Sequence, residues 1–138
     1  MSLLTNFEYI HEVRVRYADT DQMGVVYHGR YFEWFEAART EMLRNMGLSY
    51  KKIESDGILM PVIEASCRYK RSVRYDELIQ IKTTIVEVNK TRIKLKYEVC
   101  GEDNTSLRAI GSTVHCFINS SGRPVRASAK LKELFKIN

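Results

Sequence analysis

The stretch Tyr17-Ala18-Asp19-Thr20-Asp21-Gln22-Met23-Gly24-Val25-Val26-Tyr27-His28-Gly29-Arg30-Tyr31 sets two carboxylates one residue apart, follows them with glycine, and opens into an amphipathic segment. From Tyr31 the apolar residues fall at Tyr31, Trp34, Phe35, Ala38, Met42 and Met46. These are steps of three and four, the spacing of one helical face. Glu33, Arg39, Glu41 and Arg44 are assigned to the opposite, polar face. Glu33 and Glu36 in the early turns and Arg44 in the last match the helix dipole, and Gly47 supplies a C-terminal cap. The pattern predicts a helix from about Gly29 to about Met46. A helix N-terminus offers free backbone N–H donors and a partial positive charge. A carboxylate able to act as base or nucleophile, beside donors able to hold an oxyanion, has the parts of an acyl-transfer site.

The chain of 138 residues fits one domain, 1–138. At this size folding buries roughly two-thirds of the unfolded surface, enough for a true core. With 44% hydrophobic and 28% charged residues, the composition is that of ordinary soluble proteins. No stretch approaches the ~20 apolar residues needed to cross a bilayer. Residues 1–8 lack a basic segment followed by an apolar one, so no secretory signal is expected and the expected location is cytoplasmic. The net charge of +5 favours an anionic partner, either nucleic acid or a phosphorylated small molecule. Cys67, Cys100 and Cys116 form no C-x-x-C pair and lie in strand-like runs, so they are read as small, buried and reduced. His11 is read as a surface residue and His115 as a strand residue; neither makes a metal-ligand spacing with the cysteines.

Alternation marks the strands. Val13 and Val15 alternate with Arg14 and Arg16, predicting a strand over Glu12–Tyr17. Ser49 caps a short helix through Glu54, ended by Asp56-Gly57. Four further strands are expected at Leu59–Tyr69, Leu78–Val88, Arg92–Val99 and Leu107–Ile118. In the third of these Ile93, Leu95, Tyr97 and Val99 face one way, and Arg92, Lys94, Lys96 and Glu98 the other. Asn89-Lys90 and Glu102-Asp103-Asn104 read as turns, and a last short helix covers about Ser128 to Phe135. Hairpin-length connections make these strands antiparallel, and the long helix has the apolar stripe to cover one face of their sheet. The fold class is α+β.

The string Asp19-Thr20-Asp21-x-x-Gly24-Val25-Val26-Tyr27-His28-x-x-Tyr31, followed by Glu36-Ala37-Ala38-Arg39, resembles the signature of hotdog-fold acyl-CoA thioesterases. It is most similar to the 4-hydroxybenzoyl-CoA thioesterase group, and within it to the bacterial type encoded beside the Tol-Pal envelope system. The stretch from Tyr69 to Tyr75-Asp76-Glu77-Leu78 fits the same branch. The resemblance implies an antiparallel sheet of about five strands wrapped around one long central helix. It implies a homodimer joined edge to edge, often paired into a homotetramer, with active sites at the dimer interface. It maps the catalytic carboxylate to Asp21 and the carbonyl-polarising backbone N–H to His28, with Asp19 in support. One departure is Ser72, where related sequences commonly carry proline; serine leaves an extra N–H and a looser φ, which bears on the local loop and on acyl preference.

On this reading the substrate is an acyl-CoA, with acyl carrier protein as an alternative carrier, and the chemistry calls for no metal and no cofactor. Asp21 either activates water or attacks the thioester itself; as a residue type it equally suits a turn or a cap. Gly24 provides a backbone shape that a β-carbon would block. Tyr17 and Tyr31 complete the supporting set, Tyr31 as core or acyl-pocket wall. His28 acts through its backbone or touches substrate with its side chain. Arg71, Lys90, Arg92 and Arg126 are candidates for the phosphates of coenzyme A. The alternatives are a hotdog-fold hydratase or dehydratase using His28 with Asp21, and a non-catalytic protein binding acyl thioesters or nucleic acid. Nucleic acid ranks last, because Tyr97 falls on the apolar face of the strand that carries the basic residues.

Overall fold

The computed structural model describes residues 7–47, 49–102 and 106–136. In chain order the elements are β1 (Glu8–Arg14), a single 3-10 turn (Tyr17–Asp19), α1 (Arg30–Asn45), α2 (Tyr50–Ser55), β2 (Ile58–Leu59), β3 (Val62–Tyr69), β4 (Leu78–Val88), β5 (Arg92–Cys100), β6 (Leu107–Cys116), β7 (Ile118–Asn119) and α3 (Ala129–Phe135). The main sheet has five antiparallel strands in the order β1-β4-β5-β6-β3. β2 and β7 form a separate two-stranded ladder. This is the expected α+β arrangement, a five-stranded sheet around one long helix.

The inward residues of β4 and β5 are almost fully buried: Ile79, Ile81, Thr83 and Ile85, then Ile93, Leu95, Tyr97 and Val99. Against them α1 buries Tyr31, Trp34, Phe35, Ala38, Met42 and Leu43. Phe35 stacks on Tyr97 with ring centroids 4.4 Å apart, and a β-carbon on Gly111 of β6 would lie 2.3 Å from the Phe35 ring. Gly111 thus leaves the room that lets the Phe35 ring of the helix lie against the backbone of β6. The short helices are capped as their sequences predict, with Ser49 accepting from the Lys52 amide and Ser128 from the Leu131 amide.

Several expectations need correction. Arg39 is buried at 9% exposure, because it follows Phe35 by four positions and precedes Met42 by three, which places it on the apolar stripe. Its aliphatic stem can line that stripe, and its Nε has no hydrogen-bond partner among the described residues. The first strand begins and ends earlier than expected, since the Asp19 carboxylate takes the Arg16 amide and turns the chain into the 3-10 segment. The strand expected over Leu59–Tyr69 breaks at Met60-Pro61, where proline has no N–H for a ladder. The last one breaks at the buried Phe117, whose carbonyl accepts from Val125 instead. Cys67 and Cys116 are half-buried rather than buried, since they sit near the uncovered edge strand β3. His11 is half-buried rather than superficial, because its register partner is the inward-facing Ile81. The turn expected at Glu102-Asp103-Asn104 falls largely outside the described residues, flanked by the bond from Gly101 N–H to the Ser106 carbonyl.

One polar chain crosses this core. A carbonyl only accepts, so the 3.1 Å contact from His115 Nδ1 to the Met60 oxygen places the proton on Nδ1. Nε2 then accepts from the Thr113 hydroxyl at 2.9 Å, and Thr113 accepts from Tyr97 at 2.7 Å. Burial lowers the His115 pKa to about 4. The unfolded chain therefore takes up this proton first as pH falls. His115 contributes fully above its ordinary value of 6.5 and loses that contribution as pH falls toward about 4. Urea unfolding of the wild type compared with His115→Gln across this range should show an excess acid loss in the wild type on the order of 3 kcal/mol.

Candidate active site

The loop before α1 is organised by two hydrogen-bonded turns. The Gly24 amide donates to the Asp21 carbonyl at 3.0 Å, and the Asp21 amide donates to the Val25 carbonyl at 2.9 Å. This is a turn with aspartate first and glycine fourth, and Gly24 has φ +78°, a conformation side-chain-bearing residues rarely adopt. Asp21 Oδ1 accepts the Met23 amide at 2.8 Å. Asp21 is therefore a turn residue, as its type suggests. Yet its side chain is exposed, and Oδ2 has no hydrogen-bond partner among the described residues. No cation pairs with it there.

Asp19 is the opposite case. It is 1% exposed and is held by the Arg16 amide at 2.8 Å and by Arg16 Nη2 at 3.0 Å, with Arg30 Nε at 3.8 Å. Burial works against its charge. The bonds from the Arg16 side chain and backbone and the charges of Arg16 and Arg30 outweigh it, holding the Asp19 pKa below the ordinary carboxylate value. Arg30 also reaches Glu33 and the Ala18 carbonyl, so this buried carboxylate ties the loop to the first turn of α1.

The helix begins without a side-chain cap at Gly29. Tyr27 N–H donates to the Asp19 carbonyl, Arg30 N–H to Tyr27, and Tyr31 N–H to His28 at 3.4 Å. Among the described residues the N–H groups of His28 and Gly29 make no hydrogen bond. A β-carbon at Gly29 would lie 2.7 Å from the present position of the exposed Tyr27 ring, which would have to swing aside.

A cleft of about 270 Å³ joins these parts. Asp21, Val25, Val26, His28 and Tyr31 line it from the loop and α1, and Tyr69, Lys70, Arg71 and Ser72 from the end of β3. The structure thus brings together Asp21, His28, Tyr31 and Arg71. Asp19 and Gly24 shape the loop without lining the cleft, and Tyr17 stands apart, 78% exposed with its ring edge-on to Tyr75. Arg92 and Arg126 line a different cavity of about 470 Å³ with Ile63, Thr91, Cys116, Phe117, Pro124 and Val125. The Lys90 carbonyl beside it accepts the Ala127 amide.

Sequence reasoning gave Tyr69 no role, although it stands in the motif quoted above. Its hydroxyl donates to the His28 carbonyl at 2.9 Å, and its ring meets the edge of Tyr31 at 4.9 Å. Ser72 has its own restraint in place of a proline ring: its carbonyl accepts from Arg108 at 2.9 Å, while Arg108 also grips both oxygens of Glu77. Burial tends to raise the Glu77 pKa, but Arg108 and Arg74 leave it below its ordinary value.

Comparison with known proteins identifies the family. Residues 15–135 match the model of the thioesterase-like superfamily, and the chain belongs to that family. YneP of Bacillus subtilis is 35% identical over 118 residues, 83% of each chain. The Escherichia coli protein YbgC, named an acyl-CoA thioester hydrolase, is 34% identical over 104 residues, 75% of this chain and 78% of its own. The crystal structure of a DHNA-CoA thioesterase from Staphylococcus aureus superposes with a TM-score of 0.88 at 35% identity, over 94% of this chain and 89% of that one. The fold is the hotdog fold of these proteins.

The Asp19 network yields a prediction about the loop. Its stabilisation is present above the ordinary carboxylate value of 3.8 and is lost as pH falls through the lower folded value. Asp19→Asn should destabilise the protein by about 1–3 kcal/mol at pH 7 in urea unfolding. The difference from wild type should shrink once the medium is acidic enough to protonate the wild-type carboxylate.

Proposed function

We propose that this protein is an acyl-CoA thioesterase that hydrolyses the thioester to a free acid and coenzyme A. Its class, thioester hydrolase, follows from the family and from relatives named as acyl-CoA thioesterases and thioester hydrolases. We place it in the 4-hydroxybenzoyl-CoA thioesterase group, Tol-Pal-associated type, acting in the cytoplasm. Among the described residues no helix is long and apolar enough to cross a membrane.

The observation that carries the mechanism is the pairing across one cleft of a carboxylate with a free oxygen and a helix start with free amides. Asp21 takes a proton from water as water attacks the thioester carbon, or attacks that carbon itself to form a mixed anhydride that water then cleaves. In both routes negative charge grows on the carbonyl oxygen, and the His28 N–H, with that of Gly29 beside it, meets the charge. The tetrahedral species collapses by breaking the C–S bond. Coenzyme A leaves as a thiolate, so no dedicated acid is needed.

Arg71, on the cleft rim, is the phosphate contact within one chain. The other three cations reach the cleft through a second copy. β3 is an edge strand exposed on both faces, with Val62, Ile63 and Tyr69 each more than 40% exposed. Its eight residues span about 25 Å. Tyr69 at one end lines the cleft and Ile63 at the other lines the second cavity. A two-fold pairing of β3 with itself is antiparallel, which sets the Ile63 end of one copy against the Tyr69 end of the other. Lys90, Arg92 and Arg126 of the partner subunit then flank the cleft and bind coenzyme A phosphates in a homodimer, alone or paired as a tetramer.

Asp21→Asn preserves shape and the turn while removing the base. Thiol release from a panel of acyl-CoA substrates should fall by about 10²–10⁴, with far-UV circular dichroism and melting temperature unchanged. Near wild-type turnover on the best substrate would refute the assignment of Asp21.

A further inference from the structure

Tyr69 closes β3 and reaches across the cleft to α1. Its hydroxyl donates to the His28 carbonyl at 2.9 Å, from a residue 41 positions away in sequence. A peptide unit is planar, and in the trans form its C=O and N–H point in opposite directions. Holding the His28 oxygen therefore fixes the Gly29 N–H. On the other side of His28, the Tyr27 oxygen accepts from Arg30 N–H at 2.9 Å, which fixes the unit that carries the His28 N–H. The His28 oxygen is thus held by the edge strand at 2.9 Å and, more loosely, by Tyr31 N–H at 3.4 Å, and the Tyr27 oxygen by the helix itself. The ring of Tyr69 is steadied by the buried Tyr31 at 4.9 Å and faces His28 at 6.2 Å.

We propose that Tyr69 is a positioning residue for the oxyanion donors, acting through the His28 carbonyl, an inference that rests on the thioesterase reading above. Two effects follow. The peptide units that present the His28 and Gly29 amides are held before substrate arrives, so no reorganisation is needed as charge develops. The hydroxyl also gives the His28 oxygen a second donor beside the longer bond from Tyr31 N–H. Burial, with Cys67 nearby, pushes the Tyr69 phenol up to about 12, so it remains a donor through the neutral range.

The test is Tyr69→Phe, which deletes only the hydroxyl. With the best acyl-CoA, kcat should fall roughly 10-fold, a part of the 10²–10³ that loss of a whole donor costs, while KM stays within about twofold. A coenzyme A thioether of the same acyl skeleton, with methylene in place of the carbonyl, should bind wild type and variant equally. Unchanged kcat, or thioether affinity falling in step with kcat, overturns the proposal, the latter because Tyr69 would then be holding substrate. A second variant carries 3,5-difluorotyrosine at position 69. Its more acidic phenol ionises earlier and can no longer donate, so kcat should decline at lower pH than in the wild type; an unmoved profile overturns the proposal. Asp21→Asn assayed alongside separates the two levels. If the wild type releases no thiol from any acyl-CoA the hydrolase reading falls, and near-normal turnover by Asp21→Asn removes only the assignment of Asp21, whereas an inactive Asp21→Asn with normal Tyr69→Phe overturns the positioning role alone.

Discussion

The contact between Phe35 and Gly111 sets the depth at which the long helix lies in the sheet. No side chain larger than hydrogen fits between them, and Phe35 completes the contact by stacking on Tyr97. Burying such a ring is worth about 1.5–3 kcal/mol by itself. Its wider consequence is geometric. Once α1 is seated at this depth, its first turn arrives beside the end of β3, and the loop carrying Asp21 must close the remaining gap. Cleft, carboxylate and free amides all lie at that one junction.

The two aspartates of the motif divide the work by environment. Asp19 is buried, charged and surrounded by arginine donors, so its energy goes into holding the loop on the helix. Asp21 accepts one backbone amide and keeps an oxygen for other use. A carboxylate locked between arginines makes a poor base, because its proton affinity is spent on its partners. On the proposed mechanism the structural and chemical roles fall on aspartates one residue apart, and a turn ending in Gly24 presents the second to the cleft.

The fold was legible where one periodicity dominates. β4 and the helix were readable because each turns one apolar face to the shared core. β5 likewise alternates cleanly between Ile93, Leu95, Tyr97 and Val99 and the charged residues between them. Arg39 was misassigned because residue type and helical angle disagree there, and angle decides. The break at Met60-Pro61 was signalled by proline but masked by apolar residues on either side. In the site, Asp21 and His28 were visible as a motif at the start of a helix. The contribution of Tyr69 was not visible, since it depends on a strand end and a helix tip meeting in space. The separation of Arg71 from Lys90, Arg92 and Arg126 has the same origin, for positive charge marks a residue as a phosphate binder without saying which cavity it reaches.

The central claim concerns where the thioester sits. A crystal structure of the Asp21→Asn variant soaked with an acyl-CoA tests it directly. The account predicts the thioester carbonyl oxygen about 2.7–3.1 Å from the amide nitrogen of His28 or Gly29, with the side chain at position 21 against the thioester carbon. A thioester lodged away from the start of α1, or with its carbonyl turned from those amides, would contradict it.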